Sequence, residues 1–232
     1  MQAVILAAGM GTRMGDLTAQ IPKPMLTIKH KPILEHVLNG LPDCIDEAVI
    51  VTSSNTLAIF ESYFGAEFKI GDHKVKLLYA VQRDDFAGTY GALHCAKELI
   101  KVDYFLVLNG DDIIDKQSLT NISKNELAMG FTLQIPPAAN YFIFTTDKEN
   151  KISEMRRPNQ DELSQPQLIS TGTYTLSSKI WDLEPVLTKG NEYGLPQTLQ
   201  PILQEFRAIT FDEWHKVNTP EDLEKAATHL ES

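Results

Sequence analysis

Short apolar runs alternate with amphipathic stretches along the first half of the chain. A short, mostly apolar run bounded by turn residues predicts a buried strand, and apolar residues that share one helical face predict a helix. The predicted strands are residues 3–6, 47–52, 75–80 and 104–108, and the predicted helices are residues 32–38, 57–64 and 90–100. Because strands separated by helices are joined by right-handed crossovers, this order predicts an α/β fold with a mostly parallel sheet.

Fewer helices separate the strands predicted for the second half of the chain. The predicted strands are residues 131–135, 141–146 and 168–176, and the predicted helices are residues 196–206 and 220–230. The last helix should begin with Thr219 as its N-cap, Pro220 in the first position and Asp222 completing a capping box. No stretch rich in Gly, Ser or Pro marks a hinge, so we expect a single domain over residues 1–232, with halves at 1–125 and 126–232.

The composition is that of a globular protein with an acidic surface. Of the 232 residues, 43% are apolar and 22% are charged, which is ordinary for a soluble domain. The 31 acidic and 21 basic residues give a formal net charge of −10. A broad surface that attracts nucleic acid is therefore not expected, and phosphate groups would be bound by a few placed cations and backbone N–H groups.

The cysteines and the N-terminus indicate the compartment. Cys44 and Cys95 are far apart and have no metal-ligand spacing, so we expect no disulfide framework. No basic residue precedes the apolar run at the N-terminus, and the longest apolar runs are shorter than the roughly 18 residues of a membrane span. We therefore expect a cytoplasmic protein without a signal peptide, a lipid anchor or a membrane partner.

A glycine-rich turn follows the first predicted strand. The sequence LAAGMGTRMG at residues 6–15 contains three glycines, which allow a tight turn that presents backbone N–H groups to an anion. Arg13 adds a permanent charge that can bind phosphate oxygens with two N–H groups. The spacing matches neither the dinucleotide-binding fingerprint nor the P-loop. The turn alone leaves two interpretations open, a phosphate site and an ordinary strand-to-helix turn with a surface arginine.

Two further motifs favour the phosphate site. Pro22 and Pro24 flank Lys23 and stiffen its backbone, so the lysine could offer its charge to a phosphate without a large ordering cost. The sequence NGDD at residues 109–112 follows the strand predicted at residues 104–108. Ligands of open α/β sheets bind at the carboxyl ends of the strands, where both the glycine-rich turn and NGDD are expected.

Together these motifs resemble the signature of one enzyme family. The combination LAAGMGTRM…IPKPMLTIKHKPILEHVL resembles that of the sugar-1-phosphate nucleotidylyltransferases, also called NDP-sugar pyrophosphorylases. The similarity continues through nearly the whole chain, in segments around Gln82 and at residues 109–112, 147–158, 170–174 and 214–223. The resemblance implies a Rossmann-like three-layer α/β/α fold with a mixed, mostly parallel central sheet.

The resemblance also implies a reaction. An NTP and a sugar 1-phosphate would give an NDP-sugar and pyrophosphate, with Mg²⁺ as the cofactor. The acceptor phosphate is already an anion, so catalysis would need positioning and charge neutralisation rather than a general base. The family match implies that Arg13 holds the leaving phosphates, that Lys23 bridges the α-phosphate and the sugar phosphate, and that Asp111 binds Mg²⁺.

The binding residues of the family transfer to matching positions of this chain. The implied contacts are Leu6, Ala8, Gly9, Gly11, Thr12, Arg13, Gln82, Gly88 and Thr89 for the nucleotide, Asn109, Arg157 and Gly172 for the acceptor, and Asp111 and Asn218 for the metal. Gln82 has the donor and the acceptor needed to read a base edge, and the backbone of Gly88 could approach the same base.

Two segments of the nucleotide and acceptor sites depart from the family pattern. One residue more than expected lies between Gln82 and Gly88. The acceptor strand usually ends Glu-Lys-Pro, but here Arg156 and Arg157 precede the proline. Because adjacent residues of an extended strand point to opposite faces, we expect Arg157 to replace the lysine at the acceptor phosphate and Arg156 to lie outside the phosphate site.

The second metal ligand and the acceptor also leave alternatives open. Near the C-terminal Thr-Pro, where many members have an aspartate, this chain has Lys216 and Asn218. Asn218 is the expected ligand, because some members use Asn-Thr-Pro. The changes at Arg156 and Lys216 leave open a non-catalytic nucleotide-binding regulator. Another alternative is the same chemistry on a phosphate such as phosphocholine, which an aromatic cage would favour.

The sequence leaves the base, the sugar and the oligomeric state open. It contains no hexapeptide repeat of the kind that follows this fold in some relatives. We therefore expect neither acetyl transfer nor trimerisation through such a repeat.

Overall fold

The computed structural model describes residues 1–9, 11–18, 21–137 and 141–230. Its strands are β1 (Gln2–Leu6), β2 (Thr27–Ile28), β3 (Lys31–Pro32), β4 (Glu47–Thr52), β5 (Glu67–Ile70), β6 (His73–Val81), β7 (Tyr104–Asn109), β8 (Asp112–Ile114), β9 (Ala128–Gln134), β10 (Ile143–Thr146), β11 (Ile152–Arg156), β12 (Gln167–Ser177), β13 (Arg207–Thr210) and β14 (Trp214–Lys216). Its α-helices are α1 (Ile33–Asn39), α2 (Leu57–Phe64), α3 (Thr89–Cys95), α4 (Lys116–Ile122), α5 (Leu195–Leu199) and α6 (Pro220–His229).

Ten strands of the described residues form one mixed sheet. Its order is β11-β10-β12-β7-β1-β4-β6-β5; in addition, β9 pairs with β12, and β13 pairs with β9. The central strands β7, β1, β4 and β6 are parallel. β12 runs antiparallel to β7 and to β10, so it extends the sheet from the first half of the chain into the second. The parallel centre and the antiparallel flank of the sheet confirm the predicted fold class. The single domain over residues 1–232, with halves at 1–125 and 126–232, stays a prediction.

The central sheet is covered on both faces. Ala3 and Ile5 of β1 belong to a core that includes residues of α1, α2, α4 and α6, and Val4 belongs to a second core with α3 and α5. A strand covered on both faces needs apolar side chains at successive positions, which explains the uninterrupted apolar runs in the sequence. The molecule therefore has the predicted three layers.

Two predicted helices are shorter than expected. The helix predicted at residues 90–100 is α3 followed by a 3₁₀ turn at Lys97–Leu99. The helix predicted at residues 196–206 is α5 followed by a 3₁₀ helix at Gln200–Glu205. Pro201 has no N–H for an α-helical hydrogen bond, so the α-helix ends before it. Within the described ranges, no helix is long and apolar enough to cross a membrane.

The apolar pattern does not predict β2, β3, β5, β8, β11, β13, β14 or α4. Residues of β5 and β13 are exposed or half-buried, so these edge elements carry no apolar run. The start of α4 depends on a local polar contact, because the carboxylate of Asp115 accepts the N–H of Ser118 at 2.8 Å. Such short elements are specified by their neighbours more than by their own hydrophobic pattern.

The carboxyl ends of β1 and β7 lie side by side. The backbone N–H of Gly110 donates to the carbonyl of Leu6 at 2.8 Å. A Cβ at residue 110 would lie 2.9 Å from the Cβ of Ala7, so a larger residue would push the two loops apart. The sheet thus places the NGDD loop directly beside the glycine-rich turn, where ligands of such sheets bind.

The capping box predicted for α6 is present. Thr219 Oγ1 accepts the N–H of Asp222 at 3.2 Å, and Asp222 Oδ2 accepts the N–H of Thr219 at 3.0 Å. The same carboxylate oxygen accepts the N–H of Asn218 at 2.9 Å. The cap therefore anchors the backbone of Asn218 as well as the first turn of the helix.

Replacement of Thr219 by alanine should lower the free energy of unfolding by about 1 kcal/mol, because the N–H of Asp222 loses its acceptor. The matched control is Thr228→Ala in the exposed last turn of the same helix, which should change the free energy by less than about 0.5 kcal/mol. Urea denaturation measures both values. Equal losses in the two variants would contradict the capping role of Thr219.

Candidate active site

Lys23 lies buried at the carboxyl edge of the sheet. Pro22 and Pro24 flank it in a 3₁₀ turn, and its side chain is only 7% exposed. Gly11 has a positive φ of 65°, and a Cβ there would lie 2.8 Å from the Cβ of Lys23. The glycine-rich turn therefore packs directly against the stem of the lysine, which only glycine at residue 11 permits.

Two oxygen atoms compensate the buried ammonium group. Lys23 Nζ forms an ion pair with Asp111 and donates a hydrogen bond to Asn218 Oδ1 at 2.9 Å. A buried charge without such partners would cost several kcal/mol, so the contacts hold three distant segments together. We call Lys23, Asp111 and Asn218 the lysine centre.

Asp111 and Asn218 have the donor atoms that suit a hard cation. Carboxylate and amide oxygens are typical Mg²⁺ ligands, and proteins usually supply only one or two groups while phosphates and water supply the rest. Both oxygens contact the same ammonium, so they already converge on one cationic atom. Among the described residues, no three His, Cys, Asp or Glu side chains form a further candidate metal site. The oxygen atoms of Asp111 and Asn218 therefore suit Mg²⁺, and the binding of Mg²⁺ stays a prediction.

The glycine-rich turn leaves Arg13 available to a ligand. The turn continues as a 3₁₀ helix over Thr12–Thr18 that is interrupted at Gly15, where φ is 58° and ψ is −134°. Arg13 is exposed, and it forms no hydrogen bond or ion pair with the described part of the chain. Met10 of this turn lies outside the described residues. The other predicted nucleotide contacts here are Leu6, Ala8, Gly9, Gly11 and Thr12, which all lie between the end of β1 and this helix.

Asn109 and Gly172 lie against each other beside Asp111. Gly172 has a φ of 76°, and a Cβ there would clash with Nδ2 of Asn109. That nitrogen donates to Asp112 Oδ2 at 2.8 Å. With one N–H used in this way, the carbonyl oxygen and the second N–H of the Asn109 amide are left for a ligand. The two predicted acceptor residues are therefore adjacent.

Asp112 is a buried carboxyl group next to the lysine centre. Its side chain accepts the Asn109 hydrogen bond and the residue is 7% exposed. Burial, followed by the neighbouring charge of Asp111, raises the pKa of Asp112 to about 8, although the Asn109 hydrogen bond and the charge of Lys23 oppose this. From the sequence NGDD, Asp112 could be either a group behind the metal ligand or a solvated residue, and its burial contradicts the second interpretation.

Gln82 shapes the loop predicted to read the base. Its Nε2 donates to the carbonyl of Phe86 at 3.1 Å and to the carbonyl of Gly88 at 3.0 Å. Both partners are acceptors, so the amide nitrogen faces the loop and Oε1 is left to accept from a base. A 3₁₀ turn at Asp84–Phe86 lies between these contacts, in the loop with one residue more than the family pattern.

A segment just before α5 holds the other side of this loop. The N–H of Tyr193 donates to the carbonyl of Ala87 at 2.8 Å, and the N–H of Leu195 donates to Thr89 Oγ1 at 2.9 Å. Gly88 has a φ of 98°, and a Cβ there would lie 2.5 Å from the carbonyl oxygen of Tyr193. The glycine is thus required by the approach of this segment, whatever contact it makes with a base.

Arg156 and Arg157 have different partners. The guanidinium carbon of Arg157 lies 3.8 Å from the ring centroid of Phe142. Arg156 instead donates to both carboxylate oxygens of Glu162, at 2.7 and 2.8 Å. Stacking uses the flat face of the Arg157 guanidinium and leaves its in-plane N–H groups for a ligand. The different partners agree with the predicted alternation of the two side chains.

The structure therefore brings some of the predicted residues into direct contact. The lysine centre is one group, and Asn109 with Gly172 is an adjacent one, whereas no hydrogen bond or ion pair joins Arg13 or Arg157 to the lysine centre within the described chain. The sequence analysis did not identify Glu162. A signal was present, since Asn159 and Glu162 have the spacing of a capping box.

Comparison with known proteins assigns the chain to a family. The family model described as nucleotidyl transferase matches residues 2–232. The chain belongs to this family. The resemblance inferred from the motifs is thereby confirmed.

Curated relatives match the whole chain. The bifunctional protein GlmU of Methanococcus aeolicus is 32% identical over 236 residues, which are 99% of this chain and 54% of that protein. The UTP–glucose-1-phosphate uridylyltransferase AglF of Haloferax volcanii is 29% identical over 244 residues, which are 100% of this chain and 97% of that protein. The chain thus spans about half the length of the GlmU relatives and nearly all of AglF.

Solved structures of similar proteins share the fold. A UDP-glucose pyrophosphorylase in complex with UDP-glucose superposes with a TM-score of 0.81 at 23% identity, covering 99% of this chain and 97% of that one. A putative glucose-1-phosphate thymidylyltransferase from Bacillus anthracis has a TM-score of 0.79 at 21% identity and coverages of 99% and 94%. These likenesses support the three-layer architecture of the family.

The raised pKa of Asp112 predicts a pH-dependent stability. Between its ordinary value of 3.8 and about 8, the folded protein keeps a proton on Asp112 that the unfolded chain has lost. The free energy of unfolding should therefore fall as the pH rises through this window. Asp112→Asn removes this titration, so its stability should fall less between about pH 5 and pH 8, as measured by urea denaturation. The exposed control Asp84→Asn should keep the parent slope, and a parent slope in Asp112→Asn would refute the assignment.

Proposed function

We propose that the chain is an enzyme that transfers a nucleotidyl group from an NTP to a sugar 1-phosphate, releasing pyrophosphate. The observation that carries the proposal is the lysine centre, which places a buried ammonium and two cation-binding oxygens beside the glycine-rich turn. The family membership and the near full-length similarity to AglF support the same reaction. UTP with glucose 1-phosphate is therefore the first substrate pair to test.

The chemistry needs no general base. An oxygen of the acceptor phosphate forms a bond to the α-phosphorus, and the bond from that phosphorus to the leaving oxygen of pyrophosphate breaks. The nucleophile is already an anion, so the demand on the protein is to bring two anions together and to neutralise their charge. Lys23 is suited to this task, because its ammonium lies in a protected site where a charge interacts strongly with a phosphate.

Asp111 and Asn218 would hold the Mg²⁺ ion. When bound, the ion would supply charge neutralisation at the phosphate oxygens. The same two oxygens contact Lys23. If they held a Mg²⁺ ion, they would bind the lysine ammonium less strongly. Its ammonium would then be free to contact phosphate, while its stem stays fixed by the flanking prolines and by Gly11.

The remaining contacts divide between the two substrates. Arg13, which has no partner in the described chain, would bind the leaving β- and γ-phosphates. Gln82 would accept a hydrogen bond from the base through Oε1. Arg157 would bind the acceptor phosphate, and Asn109 would accept from a sugar hydroxyl beside Gly172. A cytoplasmic location is part of this proposal, because NTPs and free cysteines such as Cys44 and Cys95 are typical of that compartment.

Phosphocholine is a less supported acceptor. Two aromatic rings, those of Tyr141 and Trp214, lie near one ammonium group and could form part of a cage for a quaternary ammonium. The ammonium of Lys216 already lies 5.7 Å from the first ring centroid and 5.9 Å from the second. A second cation between these rings would be repelled by the lysine.

Pyrophosphate release with each NTP and a panel of sugar 1-phosphates tests the proposed reaction. Release that requires both substrates, together with formation of the matching NDP-sugar, is the expected result. Binding of an NTP without turnover of any acceptor would instead support the non-catalytic regulator. Turnover with phosphocholine alone would favour the other alternative.

Lys23→Ala should reduce kcat by about 10²–10³, equivalent to about 2.7–4 kcal/mol of barrier, because a preorganised charge at the reacting phosphates is lost. The control is Lys69→Ala on the exposed edge strand β5, which should keep the parent rate. Circular dichroism of both variants checks that they fold. A folded Lys23→Ala enzyme with the parent kcat would remove Lys23 from the mechanism.

Asp111→Asn should weaken Mg²⁺ binding, because a neutral amide is a poorer ligand than a carboxylate for a hard cation. Calorimetric titration of Mg²⁺ in the presence of the NTP measures the affinity, and a titration of activity provides a second readout. Coincident curves for the variant and the parent would show that Asp111 is not a ligand.

A further inference from the structure

Glu162 neutralises the arginine that replaces the glutamate of the family pattern. Arg156 donates to Glu162 through both terminal nitrogens, at 2.7 and 2.8 Å, and through Nε to Glu154 at 3.3 Å. The side chain of Glu162 is 19% exposed and that of Arg156 is 36% exposed. Bidentate pairs of this kind have a fixed geometry, unlike most surface ion pairs.

The same carboxylate fixes the loop that follows Arg157. Glu162 Oε2 accepts the N–H of Asn159 at 2.8 Å, and the side chain of Asn159 accepts the N–H of Glu162 at 3.0 Å. This reciprocal pair has the form of a capping box across residues 159–162, which lead into the 3₁₀ turn Glu162–Ser164. The Arg156 pair is the main cause, and the Asn159 bond the second, of a pKa of Glu162 lowered to about 2. Glu162 is therefore ionised at neutral pH.

Arg157 lies between Arg156 and Asn159, the two residues that Glu162 contacts. In the antiparallel pairing of β10 with β11, Ile143 lies opposite Arg156, and continuation of that register puts Phe142 opposite Arg157. The carbonyl of Arg157 also accepts a hydrogen bond from Arg156 Nη1 at 3.3 Å. Glu162 thus holds the residue before Arg157 by its side chain and Asn159, two residues after it, by its backbone.

We propose that Glu162 is a positioning residue for the acceptor site, which holds the side chain of Arg156 before Arg157 and the backbone of Asn159 after it, so that the Arg157 guanidinium stays stacked on Phe142 with its N–H groups directed to the acceptor phosphate. The proposal rests on the proposed function and adds to it a residue outside the family motif. In this proposal the charge of Arg156 is neutralised by Glu162. Arg156 therefore does not make the site favour a negatively charged sugar.

The test compares Glu162→Gln with Glu154→Gln. Both variants remove one carboxylate that contacts Arg156, but only Glu162 also binds the backbone of Asn159. Glu162→Gln should raise the KM of the sugar 1-phosphate roughly tenfold, since a positioning error far from the chemistry can cost up to about 10². The KM of the NTP should stay within about twofold, because no hydrogen bond or ion pair joins this loop to the glycine-rich turn among the described residues. Glu154→Gln should leave both KM values unchanged.

A double-mutant cycle separates positioning from a general structural effect. Arg157→Ala should itself raise the acceptor KM, and adding Glu162→Gln to it should then cause no further increase. If the two effects multiply instead, Glu162 does not act through Arg157 and the proposal is overturned. Should Glu162→Gln fail to fold, Arg156→Lys, which keeps the charge but loses the bidentate pair, should show the same selective rise in acceptor KM.

The failures of the two proposals can be told apart. A raised acceptor KM in Arg157→Ala with a parent KM in Glu162→Gln would overturn the positioning role and leave the proposed function intact. A parent acceptor KM in Arg157→Ala would remove Arg157 from the acceptor site, and the positioning role with it, although NDP-sugar formation would still support the function. Absence of any NDP-sugar would reject the function itself.

Discussion

A buried lysine ammonium is the constraint around which the candidate site is organised. Lys23 can be buried only because Asp111 and Asn218 compensate its charge, and these residues come from loops far apart in the sequence. The parallel sheet brings the first two loops to one edge, and the capping box of α6 fixes the third through the backbone of Asn218. The residues that compensate the buried charge of Lys23 are therefore also the residues whose oxygen atoms are suited to bind a cation.

The acceptor side follows a different principle. Around the lysine centre, side chains are fixed by burial and close packing, as the contact between Gly172 and Asn109 illustrates. Arg157 is exposed at the end of a strand, so its stacking on Phe142 alone would leave the side chain much of its conformational freedom. The hydrogen bonds of Glu162 to the residues on either side restrict the backbone of Arg157, as burial would do at a core position. A phosphate that is bound by an exposed arginine can still meet a preorganised donor.

The fold was largely predictable from the sequence, whereas the site was predictable only where motifs are local. Apolar runs predicted the central strands because each is covered on both faces, and Thr219 with Asp222 predicted the start of α6 because a cap is a local interaction. β5 and β13 were not predictable in this way, since their pairing depends on neighbouring strands. Likewise, the burial of Asp112 and the pairing of Arg156 with Glu162 arise from tertiary contacts that no spacing rule specifies.

The loop at residues 82–89 is in close contact with residues 193–195 at the start of α5, which limits how either part of the chain can change. Leu195 bonds to the side chain of Thr89, and the backbone of Tyr193 fills the space that a side chain at Gly88 would need. A change of length or shape in the later segment would therefore displace the loop at residues 82–89, which the family resemblance assigns to the base. Replacement of residues 193–195 by the segment of a relative would reshape that loop as well. The two parts of the chain are packed together and would have to change together.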